Sequence, residues 1–280
     1  MALVDVLIPT CGRKTGLAIV LTSLFAQTFC DFNVIVSDQT AEEDVYLDSG
    51  EIRTLVSALR WRGHEVKLHR HLPRQGMAEQ RQFLFEQSRA AYVHFIDDDV
   101  ILDPQIMQRM LTVIRDEQCG FVGCAAPGLQ FLDDVRPQQQ HIELWEGPVV
   151  PELFDATTIP LERHLVNNAA NPLHLEQQLV RNGEVVRYKV AWVGGANLLF
   201  DREKLQRVGA FSWWKRLPME HAGEEVVVQF LMLHEYGGCG ILPCGTYHLC
   251  LPTNVEDRRH NATSLYELLL KEFTHERTYP

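Results

Sequence analysis

Tyr92-Val93-His94-Phe95-Ile96-Asp97-Asp98-Asp99-Val100-Ile101-Leu102 is the stretch on which the fold turns. Five mostly apolar residues run straight into three carboxylates, and three aliphatic residues follow them. A short apolar run with so abrupt a charge cluster behind it reads as a buried strand ending at Ile96. Asp97 and Asp99 stand on alternate residues, and such oxygens suit a hard divalent cation, Mn2+ or Mg2+, which normally shares its coordination with substrate phosphates. The cluster therefore implies a phosphate-bearing ligand.

The same grammar repeats on either side. Leu3 to Ile8 is a β-branched run ending at Pro9-Thr10-Cys11-Gly12-Arg13, and Leu17, Val20, Leu21, Leu24 and Phe25 then follow at helical spacing. Phe32 to Val36 reads as a strand ending at Asp38, Ile52 to Trp61 as helix, Val66 to His71 as strand and Met77 to Gln87 as helix. Asp103-Pro104 opens a helix through Ile106 to Ile114, and Phe121 to Ala125 is a further strand. Strands alternating with helices predict an α/β fold with a mostly parallel central sheet flanked by helices.

From Pro127 to about Arg187, prolines at 137, 148, 151, 160 and 172 interrupt any period, which predicts a loop-rich insertion facing a substrate. Val190 to Phe200 then reads as a Gly-interrupted strand pair. An ordered segment follows at Glu203 to Val208 and a helix at Glu224 to His234, with short strands at Ile241-Leu242 and Thr246 to Leu249. Ser264 to Phe273 is amphipathic. The expected organisation is a nucleotide-binding half (1–126), an irregular insertion (127–189), an acceptor and catalytic half (190–250) and a helical tail (251–280).

Composition narrows the class. With 280 residues, 46% hydrophobic and 22% charged, the chain can bury a core of its own. A net charge of −11 argues against nucleic acid and against polybasic attachment to anionic lipid. No apolar stretch approaches the ~20 residues of a membrane-spanning helix, and Met1 to Pro9 shows no leader pattern, so the expected location is cytoplasmic. The seven cysteines lack C-x-x-C spacing, so neither a disulfide framework nor a zinc site is expected.

In an open parallel sheet, ligands gather at the carboxyl ends of strands, near the point where strand order reverses. Pro9 to Arg13, Asp38 and Asp97 to Asp99 are polar clusters at such ends. A turn beside an arginine can hold a phosphate, a lone aspartate can accept from a base or ribose, and the alternate pair can hold a cation against a diphosphate. Arg74, Gly76 and Arg81 surround the start of the Met77 helix, whose amides suit an anion. Glu224 and Glu225 open an apolar helix, where capping alone accounts for one of them. Adjacent helical side chains point about 100° apart, so at most one faces a cleft, and a general base requires only one. Trp213-Trp214 can stack on a sugar ring or simply pack.

The ordered series Leu-Ile-Pro-Thr, Val-Ile-Val-Ser-Asp, Arg-Gln-Gly-Met-Ala-Glu-Gln-Arg, Phe-Ile-Asp-Asp-Asp, Val-Gly-Gly-Ala-Asn-Leu-Leu-Phe and Gly-Glu-Glu resembles glycosyltransferase family 2, over residues 3 to 126 and 190 to 250. The resemblance implies the GT-A fold, Rossmann-like, here with an irregular insertion. It makes Pro9, Thr10 and Arg13 the first nucleotide loop, Asp38 the partner of the base, usually uracil, and Arg74 and Gly76 flanking groups. Asp97 and Asp99 match the family's D-x-D element, with Asp97 toward ribose or a metal-bound water, Asp99 on the metal and Asp98 beside the nucleotide. Gly194 and Gly195 match the loop where donor and acceptor approach the backbone. Glu225 stands where many relatives carry an aspartate as base, with Glu224 the alternative. His248 matches a histidine that completes the metal site in some GT-A enzymes.

The implied activity is metal-dependent, inverting transfer of a single sugar from a nucleoside diphosphate donor, UDP foremost, to a saccharide or other hydroxyl acceptor. The Q-x-x-R-W element of processive members is absent downstream of Glu225, which disfavours polymer extension. A nucleotidyltransferase is the alternative enzyme, though no Gly-rich, Lys-containing loop follows the first strand. A non-catalytic nucleotide-sugar binder is the alternative outside catalysis, hinted at by Glu in place of Asp at 225.

Overall fold

Every residue of Val4–Thr10 (β1) is buried, as a parallel strand covered on both faces requires. Val6 and Ile8 point into one core layer and Leu7 into the other, the alternation expected of a pleated strand. The computed structural model describes residues 2–253, 255 and 257–276. After β1 come α1 (Lys14–Phe25), β2 (Phe32–Asp38), α2 (Gly50–Trp61), β3 (Val66–Arg70), α3 (Met77–Gln87), β4 (Tyr92–Ile96), β5 (Val100–Leu102), α4 (Ile106–Glu117) and β6 (Phe121–Gly123). The second part holds α5 (Asn171–Leu179), β7 (Val186–Tyr188), β8 (Asn197–Asp201), α6 (Arg202–Arg207), α7 (Glu224–Tyr236), β9 (Gly238–Leu242), β10 (Thr246–His248) and α8 (Tyr266–Glu276).

The main sheet has the order β3-β2-β1-β4-β8-β6-β9-β7. β1, β2, β3, β4, β6 and β9 share one direction, and β8 and β7 run against it. The chain builds outward from β1 to β2 and β3, then crosses back to place β4 on the other side of β1. Strand order reverses there, and the ends of β1 and β4 face a common crevice. Helices α1, α2 and α4 cover one face, while α3, α7 and α8 cover the other.

The structure departs from the sequence reading in three places. Val190 to Phe200 holds one strand, β8, because Val193 gives both its backbone groups to a side chain: its N–H donates to Gln229 Oε1 and its C=O accepts from Gln229 Nε2, each at 2.8 Å. The stretch 127–189 is not all loop. It contains α5, opened by Asn171-Pro172, and the edge strand β7, and Arg163 staples it internally to Glu143 (3.0 Å) and Glu152 (2.9 Å). Val100–Leu102 also leaves the main sheet and pairs antiparallel with β10, which sets His248 opposite Val100 and hence beside Asp99. Among the described residues, no helix is long and apolar enough to cross a membrane.

Candidate active site

The ends of β1 and β4, the start of α3, the turn before β8, the start of α7 and the segment after β10 open onto one cleft of about 430 Å3. Its floor is the acidic triplet. Thr10 Oγ1 donates to Asp98 Oδ2 (2.6 Å) and shares a 2.6 Å hydrogen bond with the Tyr46 hydroxyl. Arg13 Nη1 donates to Asp98 Oδ1 (3.0 Å) and Asp99 Oδ2 (2.9 Å), and its Nη2 donates to the Pro252 carbonyl (2.5 Å). Burial pushes the Asp98 carboxyl up to about 6, against the opposing pull of Thr10 and Arg13. Asp98 is thus a buried link between β1 and the triplet.

Asp99 is different. Burial raises its carboxyl too, with His248 opposing, and its Oδ1 is buried without a hydrogen bond, 3.3 Å from His248 Nε2. His248 is held from behind by the Cys250 N–H donating to Nδ1 (2.8 Å), and Leu249 N–H donates to the Asp99 carbonyl (2.8 Å). Asp97, the most open of the three, accepts from Arg81 Nη2 at 3.2 Å. Among the described residues, no three His, Cys, Asp or Glu side chains form a ready-made metal cage. Asp99 could hold a cation together with a ligand's own oxygens, and His248 Nε2 could join it in the tautomer that carries its proton on Nδ1, facing Cys250 Sγ (3.4 Å).

The other wall comes from α7. Gly223 precedes it in the left-handed region (φ +81°), and the helical step then sends its first two carboxylates different ways. Glu224 turns inward and accepts from Arg81 Nε at 3.1 Å. Glu225 turns to the cleft, where its carboxylate accepts from its own backbone N–H. Burial, then the charge of Glu224, raises the Glu225 carboxyl to about 8, with Arg81 pulling the other way. Gly195 permits this arrangement, since a Cβ there would lie 2.9 Å from Arg81 Nη2 and 3.0 Å from Glu225 Cγ.

Pro9, Thr10, Arg13, Arg74, Arg81, Asp97, Asp98, Asp99, Gly195, Glu224, Glu225 and His248 all line the cleft. Several expectations need correction. Asp38 is fully buried, its carboxylate held by Thr40 N–H (2.9 Å), the Thr40 hydroxyl and Arg70 Nη1 (2.5 Å), so Gln39 supplies the wall where a base contact was expected. Arg81 lines the cleft and spends two of its donors on carboxylates, with Nη1 buried and without a hydrogen bond. At α3 the Ala78 N–H is capped by His221 Nε2 (3.1 Å), and Gly76 (φ +108°) lets that ring approach so closely that a Cβ would sit 2.7 Å from it. Burial lowers the pKa of His221, and its Nδ1–H donates to Pro218 O (2.8 Å).

Gly194 lies next to the cleft wall without lining it. Trp213 and Trp214 are not brought to the cleft. Trp213 is core, with its indole N–H on Ala210 O (3.0 Å), and Trp214 is faced by the Lys215 ammonium. Sequence reading missed His221, Met219 and Arg258, all on the cleft wall. Arg258 follows β10 in a stretch without period, and no local pattern marks it.

Residues 5–165, more than half the chain, match the model described as Glycosyl transferase family 2. The chain belongs to glycosyltransferase family 2. The matched stretch of this family 2 chain carries the ends of β1, β2 and β4, whereas Glu224, Glu225 and His248 lie beyond it. An uncharacterized glycosyltransferase of Haemophilus influenzae is 27% identical over 113 residues, 40% of this chain and 35% of that protein. The mannosyltransferase PcManGT from Pyrobaculum calidifontis, solved with GDP-Man and Mn2+, superposes with a TM-score of 0.53 at 15% identity, over 85% of this chain and 56% of that one. S. aureus TarS 1–349 with UDP-GlcNAc gives 0.57 at 12% identity, over 99% and 66%. The family 2 chain described here therefore spans about a third of the first relative and about two thirds or less of the two structures. Those structures share its GT-A fold, an α/β architecture with a mostly parallel sheet.

Proposed function

We propose that the chain is a divalent-cation-assisted, inverting glycosyltransferase that moves one sugar from a nucleoside diphosphate, UDP first among them, to a hydroxyl of a saccharide or other acceptor. One observation carries the reading: of two neighbouring carboxylates on α7, Glu224 is tied to Arg81, while Glu225, its pKa raised by burial, faces the same cleft as Asp99. A carboxyl whose pKa is raised by burial inside a cleft is a candidate for proton transfer.

Glu225 accepts the proton of the acceptor hydroxyl while that oxygen bonds to the anomeric carbon. The bond to the diphosphate breaks on the opposite face and takes its electron pair with it, so the configuration inverts. Arg81 keeps Asp97 and Glu224 in place and leaves Glu225 as the free base. The orphaned Asp99 Oδ1 beside His248 Nε2 fits Mn2+ or Mg2+, with Asp97 close by; such a cation offsets charge developing on the departing diphosphate. Residues 127–189 are assigned to the acceptor side, since Pro127 O accepts from His248 N–H (3.0 Å) at the cleft's edge. The neighbours solved with GDP-Man and Mn2+ and with UDP-GlcNAc support nucleotide sugars as the donors to try.

The test incubates the chain with UDP- and GDP-sugars and Mn2+ and follows the products. Release of the nucleoside diphosphate is expected. Pyrophosphate release would make the protein a nucleotidyltransferase, and tight binding without turnover would make it a non-catalytic binder.

A further inference from the structure

A polar chain is buried beneath the cleft, and the chemistry above does not use it. Asn197, the first residue of β8, has no exposed surface. Its Oδ1 lies 2.5 Å from His94 Nε2 on β4, its Nδ2 donates to Thr246 Oγ1 on β10 at 2.7 Å, and Thr246 Oγ1 donates to Cys244 O at 2.9 Å. The sense of the chain is fixed from that end. Thr246 spends its single proton on a carbonyl, so it accepts from the amide NH2; the amide carbonyl then faces His94, which must donate. Burial holds His94 neutral, its pKa lowered to about 4, so the one ring proton sits on Nε2 and Nδ1 is left without a partner.

Each strand in this chain reaches the cleft within three residues. His94 precedes Asp97 by three, Thr246 precedes His248 by two and Asn197 follows Gly195 by two. Backbone bonds reinforce the link, with Asp97 N–H on Ala196 O (3.1 Å) and Cys124 N–H on Asn197 O (3.0 Å). Apolar side chains would fill the same space with less risk, because a buried polar group left unpaired is costly. A one-way chain of donors, however, permits only one relative placement of the three segments.

We propose that Asn197 is a positioning residue, which through His94 and Thr246 fixes the separation of Asp99 from His248 and so the affinity of the cleft for a divalent cation in the presence of a nucleoside diphosphate. The inference rests on the reading under Proposed function. It is tested with Thr246→Val, which keeps the side chain's shape and removes the acceptor, and Thr246→Ser, which keeps the hydroxyl. UDP binding is titrated calorimetrically with and without Mn2+, alongside thermal unfolding.

Thr246→Val should fold, weaken UDP binding in Mn2+ by about ten-fold or more, in line with the loss of groups that orient metal ligands, and leave Mn2+-free UDP binding unchanged. Thr246→Ser should restore the Mn2+ effect, and Asn197→Ala should reproduce its loss. A folded Thr246→Val with the full Mn2+ effect, or one that loses affinity equally with and without Mn2+, overturns the positioning role alone. A native chain whose binding of UDP and of GDP is indifferent to Mn2+ overturns the proposed function, and this role with it.

Discussion

The carboxylates at the end of β4 and those at the start of α7 face one cleft under opposite rules. In the first group every side chain has a partner, Asp97 in Arg81, Asp98 in Thr10 and Arg13, and Asp99 in Arg13, with only Asp99 Oδ1, beside His248, lacking a hydrogen bond. In the second, Arg81 answers Glu224 and Glu225 is left over. An answered cluster is a place to bind, because a ligand can exchange with the groups already there. An unanswered carboxylate in a poorly solvated wall is a place to take a proton. Chemistry is thus decided less by which acids are present than by where the arginines go.

The largest effect should come from the leftover carboxylate. Glu225→Gln should lower turnover by roughly 10²–10⁴, the usual worth of a general base, with donor binding retained; normal turnover in steady-state assays would erase the contrast. Next, Asp99→Asn should weaken Mn2+-dependent UDP binding by at least ~10-fold, as expected when the environment of a metal ligand is lost. An unchanged calorimetric titration would show that the answered cluster binds no cation.

Arg81→Met attacks both groups at once. Arg81 is buried, and its loss strands the buried Glu224, so about 3–5 kcal/mol of stability should go. Adding Glu224→Gln should recover part of it in denaturant titrations, and no recovery would mean that the pair is not what Arg81 is for. The last effect is a pH dependence. Glu225 is raised from 4.5 to about 8, so the folded state holds this proton more tightly than the unfolded chain. The resulting stability is full below pH 4.5 and is lost as pH climbs through about 8. Glu225→Gln, always neutral, should melt above the native protein at pH 9 and level with it near pH 4.5. The native kcat/KM should rise over the same interval as the base is freed. A melting difference independent of pH would contradict the raised value.

How much of this was legible depends on how far a residue's meaning lies from its own neighbours. β1 to β4 and their helices were readable because period and breaker residues are local, and α3 and β4 fall on the bounds that the pattern suggests. The acidic triplet was readable for the same reason. The choice between Glu224 and Glu225 was not, because it is made by Arg81, which is 143 residues away in sequence. Asp38 looked open for the same cause, since the Arg70 that seals it comes from the next strand. Trp213-Trp214 stood open between stacking and packing only while the aromatic core of Phe95, Phe200 and Phe211 was out of view. In 127–189, the anchors are single long-range contacts, such as Arg163 to Glu143 and β7 to β9, which leave no periodic trace.

The order of the sheet has a consequence at its two rims. β3 presents Lys67 to solvent, a charge that resists the docking of a foreign strand. On the opposite rim β7 is only three residues long, and its outer side is already taken: Trp145 N–H donates to Arg187 O, and Lys189 N–H donates to Glu143 O. Neither border offers a long, bare ladder on which a second molecule could continue the sheet, so self-assembly by strand addition is closed off by the same architecture that opens the cleft.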